Sequence, residues 1–94
     1  MAELLTDEEI DARLEDSAWA REGDEIVRNW EFGDFAAAIA FVNRVGEAAE
    51  EANHHPDILL HGWNKVRLSL TNHSAGGLTA VDFEMAGRFG DLAG

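Results

Sequence analysis

Ninety-four residues are enough for one domain, 1–94, and leave little room for a second core. At 46% hydrophobic, with three Trp and five Phe, the composition excludes a disordered chain. A net charge of −12 with only seven basic residues argues against direct nucleic-acid binding, because phosphate neutralisation needs clustered Lys and Arg.

The N-terminal stretch is acidic and lacks a signal-peptide apolar region. No apolar run reaches membrane-spanning length, so a cytoplasmic protein without a membrane partner is expected. Thr6-Asp7-Glu8-Glu9 reads as a capping box, with acidic residues suited to the first turn. Leu5 and Ile10 occupy the staple positions, and Ile10 and Leu14 share a face. This predicts a short helix over about 7–16. Trp19 to Glu22, Gly23-Asp24 and Glu25 to Phe32 then read as a hairpin, with glycine at the turn. Ile26, Trp30 and Phe32 share one strand face. Arg28 has the same parity, and its stem can lie along that face with its head at an edge. Packing accounts for Trp19 and Trp30 better than ligand stacking does.

Asp34 can cap the next helix, predicted over about 35–52. Phe35, Ile39, Val42 and Ala49 follow helical spacing, and Ala38, Phe41, Val45 and Ala52 widen the stripe. Glu47, Glu50 and Glu51 crowd its last turns, where the dipole favours cations, at a cost of about 0.3–1 kcal/mol per charge. Glu47 and Glu51 read as a solvated face. Glu50 lies four residues before His54, so the two meet if the last turn persists. Asn53 suits a left-handed helix end, and Pro56 cannot continue the helix.

Ile58 to His61 is a short strand, and Gly62-Trp63-Asn64 a turn. Lys65 to Thr71 alternates, with Val66, Leu68 and Leu70 inward. Asn72 to Leu78 is a loop. Thr79 and Asp82 look like a helix cap and its N3 partner. Val81, Met85, Phe89 and Leu92 form the buried face of a last helix, beside Ala86. Gly87 and Gly90 weaken that helix by about 1 kcal/mol each relative to Ala. The economical arrangement is α+β: order α-β-β-α-β-β-α, with a four-stranded antiparallel sheet and three helices on one face. So small a core favours a homo-oligomer.

The chemistry-bearing residues are histidines. The absence of cysteine removes thiolate metal sites and cysteine nucleophiles. His54 and His55 stand at the start of one strand, and His73 lies just beyond the end of the next. In an antiparallel hairpin those ends are neighbours. Three readings compete. With Asp57, Asp82 or Glu50 the histidines could bind zinc, although no His-x-x-x-His pair exists. They could be satisfied structural side chains. Or they could carry acid–base chemistry, since imidazole titrates near neutrality. The fourth histidine, His61, reads as structural or exposed.

Glu50, His54-His55-Pro56, Trp63, His73 and Asp82, at these spacings, resemble the signature of the pterin-4a-carbinolamine dehydratases. Flanking Asn64-Lys65-Val66 and Gly77-Leu78-Thr79 resemble it too, as do Trp19, Trp30, Phe32 and Asp34-Phe35. The resemblance covers roughly 15–90. It implies dehydration of 4a-hydroxytetrahydropterin to quinonoid dihydropterin, recycling the pterin of aromatic amino acid hydroxylases. Such chemistry needs neither metal nor cofactor, the pterin being the substrate. By position, His54 and His73 would transfer protons, His55 would bind and orient the pterin, and Glu50 would support the histidines. Trp63 would wall the pocket beside Pro56, and Asp82 would hold the His73 loop or cap the helix. The aromatic position is often tyrosine in the family, so Trp63 departs by lacking a hydroxyl. The 58–62 segment is one residue longer than in many relatives. The resemblance also implies a homodimer or homotetramer. Animal members additionally serve as dimerisation partners of a homeodomain transcription factor, so a non-catalytic regulatory module is the alternative function.

Overall fold

A computed structural model describes residues 3–93. The first helix, α1 (Asp7–Leu14), carries the expected capping box. The Thr6 N–H donates to Glu9 Oε1 at 2.9 Å, and the Glu9 N–H donates to Thr6 Oγ1 at 3.1 Å. The Thr6 N–H foremost, and its hydroxyl second, hold the Glu9 carboxyl below the usual carboxylate range. The helix stops two residues short of the expected end, and Asp16 then adopts a positive φ of 62°.

The hairpin β1 (Ala20–Glu22) and β2 (Glu25–Glu31) follows, then α2 (Phe35–Ala52), β3 (Asp57–His61), β4 (Lys65–Leu70) and α3 (Ala80–Leu92). All strands pair antiparallel in the order β1-β2-β4-β3. The predicted order and class are those observed. The second hairpin joins the first through β4, with Ile26 opposite Leu70 and Trp30 opposite Val66. Val66, Leu68 and Leu70 are wholly buried. They share one core with Ile26, with Ile10 of α1, and with Phe41 and Val45 of α2 and Met85 and Phe89 of α3. Burial of such side chains is worth about 1.5–3 kcal/mol each.

The buried stripe of α2 is rotated from the expected one. Ala38, Phe41, Val45, Ala48 and Ala49 face the core, whereas Phe35 and Ile39 are exposed. Both sets have helical spacing, so periodicity alone could not choose between them. Aromatic contacts made the choice. Phe41 lies 4.9 Å from Trp30 and 5.2 Å from Phe32, centroid to centroid, and Trp19 meets Trp30 edge-on at 5.8 Å. Trp19 is thus a core residue, as its packing reading required.

On the other sheet face, Arg67 of β4 reaches across β2 to Glu22 of β1 at 2.9 Å. Asn64, at the base of the β3–β4 turn, is buried. Its side-chain amide donates to Phe32 O at 2.9 Å, and its own carbonyl accepts the Phe32 N–H at 2.8 Å. That clamp fixes the second hairpin against the end of β2.

Candidate active site

The site begins where α2 ends. Asn53 takes the left-handed conformation (φ 52°, ψ 40°), which asparagine tolerates better than most residues. The His54 N–H then bonds back to Ala49 O at 3.1 Å, and Pro56 blocks another helical turn. The chain therefore leaves the helix axis one residue before His54, and the expected Glu50–His54 contact does not form. Glu50 Oε1 instead meets His55 Nε2 at 2.8 Å. Glu51 lies on the solvated face as expected, and from there it takes Arg88 of α3 in a surface pair at 3.1 Å.

His54 finds a different carboxylate. Its Nε2 lies 2.6 Å from Asp82 Oδ1. Asp82 is fully buried, and His54 is mostly so. The other oxygen of Asp82 accepts from the Thr79 N–H at 2.8 Å and from the Thr79 hydroxyl at 3.3 Å. Asp82 thus caps α3, as expected, but it holds His54 rather than His73. A buried carboxylate requires such donors, and the helix N-terminus favours its charge. As a carboxylate it can only accept, so His54 Nε2 carries the proton in that bond. The ring nitrogen of His54 left for a ligand is Nδ1.

His73 sits on the loop between β4 and α3. Asn72 knots that loop: its carbonyl accepts the N–H groups of Ala75, Gly76 and Gly77, its own N–H donates to Gly77 O, and its Oδ1 accepts from Ala75. Gly76, at φ +83°, supplies the turn a side chain would strain. Thr71 anchors the loop to the first hairpin through its hydroxyl, which donates to Asp24 O at 2.6 Å. His73 itself is exposed and makes no hydrogen bond among the described residues, so both ring nitrogens are available.

The three histidines open onto one space. His54, His55 and His73 line one depression of about 220 Å³, with Asn53, Thr71 and Ser74. A mostly buried, oriented imidazole faces an exposed, unconstrained one across a small polar space. Such a pair can give one proton and take another. Among the described residues no three His, Asp or Glu side chains converge as a metal-ligand set. Pro56 lies beside His55 and Glu50 in an adjoining, more apolar depression that Ile58 also lines.

Trp63 is not brought to the histidines. It occupies the β3–β4 turn at φ +60° and is 61% exposed. That turn lies at the His61–Lys65 end of the hairpin, whereas His54 and His55 precede Asp57 at the other end. Five residues at about 3.3 Å each put roughly 16 Å of strand between the two ends. Antiparallel topology, which sets His73 beside His54, therefore keeps Trp63 out of the same chain's pocket. His61 is exposed at that far end too. From the sequence, Thr79 has only a capping role and Asn72 none. The capping pattern was the available signal for Thr79, and a lone Asn before His73 offered none.

Fold and site together define a small α+β protein with a histidine-lined depression suited to proton transfer on a small molecule. The profile of the pterin 4 alpha carbinolamine dehydratase family matches residues 3–92, and the chain belongs to that family. It is 47% identical over 93 residues to a protein of Natronomonas pharaonis, covering 99% of each chain. It is 51% identical over 92 residues to one of Nocardia farcinica, covering 97% of this chain and 96% of that one. Both bear the name pterin-4-alpha-carbinolamine dehydratase as a provisional assignment. Among solved structures, a transcriptional coactivator/pterin dehydratase of Brucella melitensis superposes with a TM-score of 0.89 at 31% identity, covering 96% of this chain and 98% of that one. A pterin dehydratase-like RuBisCO assembly factor of the alpha-carboxysome gives a TM-score of 0.70 at 26% identity, covering 82% and 90%. No helix of the described residues is long and apolar enough to cross a membrane.

Proposed function

We propose that the protein dehydrates 4a-hydroxytetrahydropterin to quinonoid dihydropterin and water, recycling the pterin of aromatic amino acid hydroxylases. The C4a–O bond breaks as the leaving hydroxyl gains a proton, and N5 gives up its proton as the C4a–N5 double bond forms. Water carries away both the hydroxyl and the gained proton, so atoms balance without a redox partner, a metal or a cofactor. His54 and His73 are the proton-transfer pair. His55 orients the pterin, steadied by Glu50. Asp82 fixes the tautomer and ring direction of His54.

The observation that carries this reading is the 2.6 Å bond from His54 to buried Asp82, with unconstrained His73 on the same depression, in a chain of this family. Positioned acid–base groups are each worth about 10²–10⁴-fold in rate. The test is to generate the carbinolamine in situ and follow its ultraviolet loss with and without protein. Acceleration is expected, and its absence would overturn the reading.

The second reading is a regulatory or assembly module without turnover. It draws on the neighbours described as a transcriptional coactivator and as a RuBisCO assembly factor. Retention of Glu50 and of all three histidines favours the enzyme. A homodimer or homotetramer in the cytoplasm completes the proposal. Phe35 and Ile39 are exposed on α2, and Ile58 and Leu59 on the edge strand β3; an unpaired strand edge favours self-association. Sedimentation at micromolar concentration as a single-chain mass would remove the oligomer from it.

A further inference from the structure

A second cavity, of about 490 Å³, lies between α1, β2 and α3. Arg13, Trp19, Arg28, Phe83, Gly87 and Gly90 are among its walls. None of its lining residues belongs to the histidine depression.

Its charge is the first unusual feature. The chain has a net charge of −12, so each arginine has many carboxylates to choose from. Arg21, Arg67 and Arg88 take Asp7, Glu22 and Glu51, and Arg44 donates to Leu92 O. Arg13 and Arg28 make no hydrogen bond and no ion pair among the described residues, and both line this cavity. Each stands instead on an aromatic ring: Arg28 lies 4.5 Å from the Trp30 centroid and Arg13 lies 5.7 Å from that of Phe83. A guanidinium resting on a ring keeps its N–H edge for an anion. Asp91 is the one carboxylate in the lining and pairs with neither.

The glycines of α3 are the second feature. Glycine destabilises a helix interior relative to alanine, yet two line this wall. A Cβ at Gly90 would stand 3.0 Å from an Arg28 guanidinium nitrogen, so the cation packs closely over that glycine. A Cβ at Gly87 would meet nothing within 4 Å. Packing does not require glycine at that position, which opens onto free space on the cavity wall.

We infer that this cavity binds a small organic anion, a carboxylate or phosphate group on a flat apolar body. Arg13 and Arg28 hold the head group, and Trp19 and Phe83 flank the body. The site is separate from the proposed pterin site.

Titrating the full-length, isotope-labelled protein with benzoate, phenyl phosphate and benzyl alcohol tests it by NMR. Either anion should shift the Trp19 indole and Arg13 and Arg28 side-chain signals saturably, the tighter one identifying the head group. Benzyl alcohol should not. Arg28→Gln and Arg13→Gln should each weaken binding about tenfold or more. Gly87→Leu should abolish it while holding or raising Tm, which separates filling from unfolding. Binding should persist in His54→Ala, whatever becomes of turnover. Failure of both anions to saturate, or equal binding in Gly87→Leu, would overturn the inference.

Discussion

His54 and Asp82 lie twenty-eight residues apart and share a 2.6 Å bond. Through it the end of α2 is tied to the start of α3, since Asp82 also holds Thr79. Asp82→Asn keeps the size but leaves one oxygen where two are needed. The amide nitrogen must then face either His54 or Thr79. We expect Tm to fall, by a loss of roughly 1–3 kcal/mol for a buried donor left unpaired. Turnover should drop about tenfold or more, because the ring loses its fixed direction. Denaturant unfolding and carbinolamine kinetics check both.

His54→Ala and His73→Ala should each cut turnover about tenfold or more, but they should differ in stability. Removing His54 takes a partner from buried Asp82, so Tm should fall. His73 is exposed and unbonded, so its removal should leave stability within about 0.5 kcal/mol. Wild-type rates in both variants would rule out the proposed pair.

The Glu50–His55 pair is exposed, at 80% and 54% for the two side chains. Such pairs contribute about 0–1 kcal/mol. Glu50→Gln should therefore leave Tm unchanged and act on KM more than on kcat, as expected for a group that orients a binding residue. A fall in kcat at constant KM would instead place Glu50 in the proton transfer.

Trp63 holds a positive φ at an exposed turn, a conformation costing a side chain roughly 1–2 kcal/mol. Trp63→Gly should hold or raise Tm and leave turnover intact. Lost turnover with an intact fold would mean that Trp63 serves the pocket of a second chain.

Glu9 supplies a pH signature. Its folded pKa lies below the ordinary glutamate value through the Thr6 N–H and hydroxyl. Stability from this cap is therefore present above that value and lost as pH falls through the lower folded pKa. Glu9→Gln should flatten this part of the acid limb, read by chemical denaturation at stepped pH. An unchanged acid limb would show that the cap is not coupled to folding.

Much of this protein was legible in one dimension. Local patterns carry element type, so the Thr6–Glu9 box, the alternation of β4 and the Asn53 helix end were readable. Antiparallel topology then placed His73 beside His54 and His55 without distances, and the same topology, carried one step further, puts Trp63 at the wrong end. Tertiary packing settled the pairings. Two overlapping stripes on α2 have equal periodicity, and the aromatic contacts of Phe41 chose one. Two carboxylates were in reach of the histidine pair, and the left-handed turn at Asn53 gave Glu50 to His55 and left His54 for Asp82. Sequence determines which groups are available; the direction of a side chain depends on a single backbone dihedral and on what packs across from it, and neither has a signal in spacing.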